Sequence, residues 1–307
     1  MKIAAYILIP LIVILIGLGV WLYDPDKPRA TLEARHAPAP SQFIEVAGLR
    51  VHMRDTGPRE APALLLLHGF GSSLHTWEDW ARLLEGRFRI IRIDLPGFGL
   101  TGADPSGDYT DARANAVLVA LLDRLGLAQV TLIGNSMGGR IAWRFAAAEP
   151  ARVERLVLIA PDGFASPGVA YDTPVALPLV MRVLPYSLPR RLLRGTLAST
   201  YANPARLGEA VVELYRDMML APGVRPAILA RVEQHILPNP VPMLRGLAMP
   251  VLVMWGAQDR LIPVANAQDY LAAIPHAALA TLPTMGHVPF EEDPALSLPP
   301  LLAFLAR

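Results

Sequence analysis

Val130-Thr131-Leu132-Ile133-Gly134-Asn135-Ser136-Met137-Gly138-Gly139 runs from a strand-forming stretch straight into G-x-S-x-G. That pattern is the nucleophile elbow, a serine on a sharp turn between a strand and a helix. Its glycines have a physical reason. The turn strains the serine backbone, and the residues two before and two after it must be small for strand and helix to approach. Residues 140–148 (RIAWRFAAA) then predict a helix. The N-terminus of that helix would present backbone N–H groups beside Ser136, where an oxyanion is stabilised. A plain strand–helix turn is the alternative, but the context the motif requires stands on both sides. Ser136 is the candidate nucleophile.

A serine needs a base and an acid, and in this arrangement they follow in the order Asp, His. Residues 251–255 (VLVMW) read as a buried strand that runs into Gly256-Ala257-Gln258-Asp259-Arg260. A second short strand, residues 278–282, runs into Pro283-Thr284-Met285-Gly286-His287. Both candidates fall just past the C-terminal end of a strand, where open α/β sheets assemble their sites. Asp259 could also cap a helix beginning near Pro263, and Asp162, past the preceding strand, is the competing acid. The rival histidines are His36, His52, His68, His75, His235 and His276; of these only His276 lies near the last strand, and it precedes it. The expected roles are attack by Ser136, proton transfer by His287 and orientation of the imidazole by Asp259.

Upstream, residues 63–67 (ALLLL) form an apolar strand that runs into His68-Gly69-Phe70-Gly71. A loop of this kind supplies one oxyanion N–H, and the residue after the nucleophile supplies the other. The expected donors are the amides of Phe70 and Met137, with His68 a structural hydrogen-bonder. Asp94-Leu95-Pro96-Gly97-Phe98-Gly99 closes the next strand as a tight turn.

The segments HGFG (68–71), DLPGFG (94–99), GNSMGG (134–139), WGAQDRLIP (255–263) and MGHVPFEEDP (285–294), in this order, resemble the α/β-hydrolase superfamily across about residues 42–307. The resemblance implies an α/β fold: a mostly parallel eight-stranded sheet flanked by helices, with a helical lid inserted before the strand that carries Asp259. GNSMGG is shared with hydrolases that cleave carbon–carbon bonds in aromatic ring-fission products. Those enzymes usually carry a tryptophan directly after the catalytic histidine, where Val288 stands here. Haloalkane dehalogenases and epoxide hydrolases use an aspartate where this chain has Ser136.

Residues 3–23 carry no charge and are dominated by Ile, Leu, Val and Ala. As a helix rising about 1.5 Å per residue they would reach about 30 Å, enough to span a bilayer core. Tyr6, Trp21 and Tyr23 fall near the ends, as interface anchors do. A cleaved signal peptide is the alternative, but no A-x-A-like site follows the apolar run. The expected organisation is an anchor (1–24), a juxtamembrane linker (25–41), a hydrolase core (42–161 and 250–307) and a lid (162–249). In the lid region apolar faces alternate with Arg182, Arg190, Arg191 and Arg194, which would rim an acyl-binding tunnel near lipid head groups.

Composition fits one anchored globular domain. The chain has 307 residues, 53% of them hydrophobic, a net charge of +1 and no cysteine. Nothing argues for nucleic acid, and a thiol nucleophile is excluded. The expected function is a membrane-anchored serine ester hydrolase acting on lipidic or other acyl esters, similar in layout to bacterial membrane-anchored phospholipases A. It would need no cofactor and no metal. Its expected partners are the lipid or acyl-ester substrate, the bilayer and a second copy through anchor and linker. The alternatives are a tethered small-ester esterase, a carbon–carbon hydrolase, and a non-catalytic member that binds a hydrophobic ligand. Lys27, Arg29 and Arg35 follow the apolar run, opposed by Asp24, Asp26 and Glu33. Counting Lys and Arg alone favours a cytoplasmic domain, yet a very short basic tail before an apolar segment behaves as an uncleaved signal sequence. The second argument places the catalytic domain outside the inner membrane of a bacterium.

Overall fold

The computed structural model describes residues 17, 19–20, 22–165, 170–174 and 177–307. The expected anchor lies mostly outside the described residues, and no helix among those described is long and apolar enough to cross a membrane. The elements in chain order are α1 (Arg29–His36), β1 (Ser41–Val46), β2 (Leu49–Thr56), β3 (Ala63–Leu67), α2 (Glu78–Leu84), β4 (Arg89–Ile93), α3 (Asp111–Arg124), β5 (Val130–Asn135), α4 (Met137–Ala148) and β6 (Val153–Ile159). Then come α5 (Arg190–Thr200), α6 (Glu209–Met219), α7 (Val224–Gln234), α8 (Val241–Arg245), β7 (Val251–Gly256), α9 (Ala267–Ala273), β8 (Ala278–Leu282), α10 (Pro289–Glu292) and α11 (Pro294–Leu305).

The strands form one eight-stranded sheet in the order β1-β2-β4-β3-β5-β6-β7-β8. β2 runs antiparallel to β1 and β4, and every other pairing is parallel. The central strands are continuous apolar runs because both faces of a parallel sheet are covered. Alternate residues divide between two cores. Leu65, Leu67, Ile91, Leu132 and Val253 pack with Trp143, Phe145 and Leu118 on one face. Leu64, Leu66, Ile133, Val157 and Met254 pack with Trp77, Trp80 and Phe290 on the other.

Two local details depart from the sequence reading. The helix expected from Arg140 begins at Met137, immediately after Ser136. Gly138 and Gly139 are poor helix formers, but the elbow leaves no room for a side chain there, so tertiary packing overrides propensity. The expected linker also holds the helix α1 and is fastened to the region between β6 and β7. Asp24 accepts from the Leu188 N–H at 2.8 Å and pairs with Arg216. Asp26 pairs with Arg225 at 2.7 Å. Asp217 of α6, fully buried, receives Lys27, Arg35 and His36 together.

Candidate active site

Ser136 sits at φ 54° and ψ −121°, in the left-handed half of backbone space that an L-residue occupies only under constraint. Its N–H donates to the Ile159 carbonyl at 3.0 Å, and its own carbonyl accepts from the Asp162 and Arg140 N–H groups, both at 3.0 Å. The flanking glycines are required by space. A Cβ on Gly134 would lie 2.3 Å from the Gly138 carbonyl oxygen, and one on Gly138 would lie 2.4 Å from that of Leu67.

His287, in the loop after β8, turns Nδ1 to Asp259 Oδ2 at 2.7 Å. The other carboxylate oxygen of Asp259 accepts from the Leu261 and Ile262 N–H groups at 2.8 and 3.0 Å. Asp259 therefore makes the local turn that the capping reading anticipates and holds the imidazole as well. Both side chains are buried. Asp162, the competing acid, pairs with Arg140 at 2.6 Å instead. The Asn135 side chain donates to the carbonyls of His287 and Ile159, at 3.1 and 3.0 Å, and so ties the two loops together beneath Ser136.

The loop after β3 closes on the same point. A Cβ on Gly69 would lie 3.0 Å from Asn135 Oδ1 and 3.3 Å from the Ser136 Cβ. Phe70, next along this loop, lines the same cavity as Ser136, and Met137 opens α4 directly after the serine. His68 accepts from the Leu95 N–H through Nε2 at 3.0 Å and donates from Nδ1 to the Gly69 carbonyl at 2.8 Å, so it holds the loop. Complete burial pushes its pKa down, which keeps this neutral tautomer. Asp94 is also completely buried and accepts from the N–H groups of Leu74 and Leu100, both at 2.7 Å. Burial alone would raise its pKa, but His52 beside it holds the carboxyl well below the usual range.

A second Ser–His–Asp array lies away from this site. His52 reaches Asp94 at 2.7 Å through Nδ1 and the Ser41 hydroxyl at 3.0 Å through Nε2. Ser41 lies on β1 with an ordinary strand pairing to Arg54, whose Nε donates to the same hydroxyl at 2.9 Å. Ser41 stands in a regular edge strand rather than in an elbow, so this array fastens the edge of the sheet.

Ser136 and His287 both open into a cavity of about 760 Å³. The core side of its wall comprises Gly69, Phe70, Ser72, Asn135 and Val288; the other side comes from residues 180–200 of the segment between β6 and β7, with Tyr215, Met219 and Ile228 behind. Leu22, from the N-terminal stretch, also lines it. Among the described lining residues there is no Asp, Glu, Lys or Arg. Of the arginines expected at the rim, Arg190 is taken up by Glu209 and Glu213, and Arg194 by Glu209. Sequence reasoning overlooked Asn135, Ser72, Tyr215 and the Thr200 end of α5. Only Asn135 carried a local signal, its place in the elbow.

A family model described as the alpha/beta hydrolase fold matches residues 62–294. The chain belongs to the α/β-hydrolase family. Among curated relatives of this hydrolase, an uncharacterized protein of Mycobacterium tuberculosis H37Rv is 30% identical, over 84% of this chain and 79% of that one. A 2-hydroxy-6-oxononadienedioate/2-hydroxy-6-oxononatrienedioate hydrolase of Klebsiella pneumoniae is 29% identical, over 86% of this chain and 92% of its own. A solved bacterial membrane phospholipase A superposes with a TM-score of 0.75 at 25% identity, covering 100% of this chain and 98% of that one.

Proposed function

We propose that this hydrolase cleaves neutral acyl esters of lipid type through Ser136, His287 and Asp259. The observation that carries the reading is the cavity: an apolar chamber with a serine and a histidine at its floor and no Asp, Glu, Lys or Arg among the described lining residues. In the reaction, His287 takes the Ser136 proton through Nε2 as Oγ attacks the ester carbonyl. The Phe70 and Met137 amides receive the oxyanion. The imidazolium, stabilised by Asp259, gives its proton to the leaving alcohol. Water, deprotonated by the same imidazole, then releases the acid and restores the serine.

The relative named for a dienedioate acts on a dicarboxylate, whose two charges need cationic or strong hydrogen-bonding partners when they leave water. The cavity here offers hydroxyls and apolar walls, which suit an acyl chain. The whole-length likeness to a membrane phospholipase A supports the same substrate class and, with the uncharged stretch of residues 3–23, a single-pass anchor. Leu22, Val180, Val183 and Leu192 are exposed and also line the cavity, so its mouth is apolar where a bilayer would lie. We place the catalytic domain on the outer side of the inner membrane; an alkaline phosphatase fused to the C-terminus should be active there, and an inactive fusion would reverse the orientation.

The chemistry is tested with a panel of p-nitrophenyl esters, phospholipids, lysophospholipids and a ring-fission dienoate. Ser136→Ala should fold normally and lose ester turnover by several orders of magnitude. A fluorophosphonate should label the wild type and leave the variant unlabelled, since Ser41 stands in a regular strand rather than in an elbow. Turnover confined to the dienoate would replace the ester reading with carbon–carbon cleavage.

A further inference from the structure

The loop that carries His287 is fastened to the segment between β6 and β7 by a carboxylate with no place in the chemical steps. Glu292, at the end of α10, is 6% exposed. One of its oxygens accepts from the Gly286 N–H at 2.8 Å and the Ala202 N–H at 3.0 Å, and the other accepts from the Asn203 N–H at 2.8 Å. Directly above, the His287 N–H donates to the Thr200 carbonyl at 2.7 Å. The junction is close: a Cβ on Gly286 would lie 2.5 Å from the Thr200 oxygen and 2.6 Å from the Ala202 nitrogen. Glu291 beside it accepts the hydroxyls of Thr76 from the core and of Tyr201 and Tyr215 from the far side, closing a second set of bonds across the same seam.

Burying a carboxylate is unfavourable unless its oxygens are satisfied, and three backbone N–H groups satisfy this one. An amide of the same size could not replace it, because its NH2 end would face an N–H donor. We infer that Glu292 is a positioning residue for the reaction: it locks the turn at residues 200–203 onto Gly286 and His287, so the end of α5 sets where the imidazole stands relative to Ser136. The His287 peptide is thereby held at both ends, its N–H by Thr200 and its carbonyl by Asn135. On this view α5 belongs to the catalytic frame at its Thr200 end.

This rests on the serine-hydrolase reading, and the experiment separates the two. Glu292→Gln in the full chain should lower kcat for p-nitrophenyl butyrate on the order of 10–100-fold, the scale of a small misplacement of a reacting group, while KM changes less than about twofold. The rate of fluorophosphonate labelling should fall by the same factor, and the downfield proton NMR signal of the His287–Asp259 hydrogen bond should shift or broaden. Asp104→Asn, which breaks a buried pair with Arg113 elsewhere, controls for lost stability and should lower the melting temperature with kcat preserved. Glu292→Asp, which keeps the charge but cannot reach Gly286 and Asn203 together, carries the same test should the glutamine variant not fold. A wild-type kcat and an unmoved proton signal in the folded variant, with Ser136→Ala inactive, overturn the positioning role alone. An active Ser136→Ala overturns both.

Discussion

Asp259 divides its work between two oxygens, and the division fixes what an amide would do in its place. Oδ1 is committed to the Leu261 and Ile262 N–H groups, leaving Oδ2 for His287. In Asp259→Asn the amide oxygen keeps the two backbone donors and the NH2 faces Nδ1. The imidazole must then carry its proton on Nε2, where it cannot accept from Ser136. The expected loss in kcat is on the order of 10⁴-fold, with the protein still folded. Asp162→Asn breaks the pair with Arg140, its one salt bridge among the described residues, and steady-state kinetics should register a change of less than about threefold, the loss of a partly exposed contact. Were the two effects exchanged, Asp162 would have to be the acid. The sequence placed both carboxylates past strands; it did not show which one faced the histidine, because that depends on how two loops separated in sequence converge.

Among the elements, the strands were legible and the seams between elements were not. β3, β5 and β7 are apolar runs ending in glycine-containing turns, so their being strands and the end of the sheet at which the site assembles follow from the residues, while their order in the sheet does not. Glu291 and Glu292, by contrast, enter the sequence reading only as part of the MGHVPFEEDP segment, which does not say what they bind. Their partners Tyr201, Asn203 and Tyr215 lie in an element whose packing no local pattern announces. The same holds for the cavity wall. Leu188, Leu193 and Leu197 of that wall pack as one apolar cluster, and this makes a graded prediction for substrates. Each methylene moved from water into such a surface contributes about 0.8 kcal/mol, roughly a fourfold gain in kcat/KM. Across p-nitrophenyl acetate, butyrate, hexanoate and octanoate below their micellar concentrations, kcat/KM should climb on that scale. Leu197→Trp, which fills the chamber, should cut the series short while leaving acetate turnover near wild type. A flat series in the wild type would mean that the acyl chain does not enter the cavity.

At the scale of the whole molecule, the N-terminal stretch does more than lead up to the fold. Asp24, Asp26 and Lys27 bind Arg216, Arg225 and Asp217, and all three of these partners lie on helices α6 and α7 behind the cavity. Buried Asp217 depends on this segment in part, since Lys27 is one of the three cationic partners that satisfy it, with Arg35 and His36. The proposed membrane attachment and the support of the cavity are therefore separable by where the chain is cut. A chain beginning at Asp24 keeps every one of these pairs. It should match the full-length protein in melting temperature and in p-nitrophenyl butyrate turnover, and lose much of its activity on phospholipid embedded in vesicles. A chain beginning at Ala30 loses Asp24, Asp26 and Lys27 together. Its melting temperature should fall by several degrees, as about 1–2 kcal/mol does in a domain of this size, and its turnover of the soluble ester should drop too, because the helices behind the cavity lose their fastening. Differential scanning calorimetry and the two substrates together decide the matter. Equal stability of the two truncated chains would show that the segment before Ala30 is a spacer, and equal vesicle activity of the Asp24 chain and the full-length protein would remove the anchor from the function.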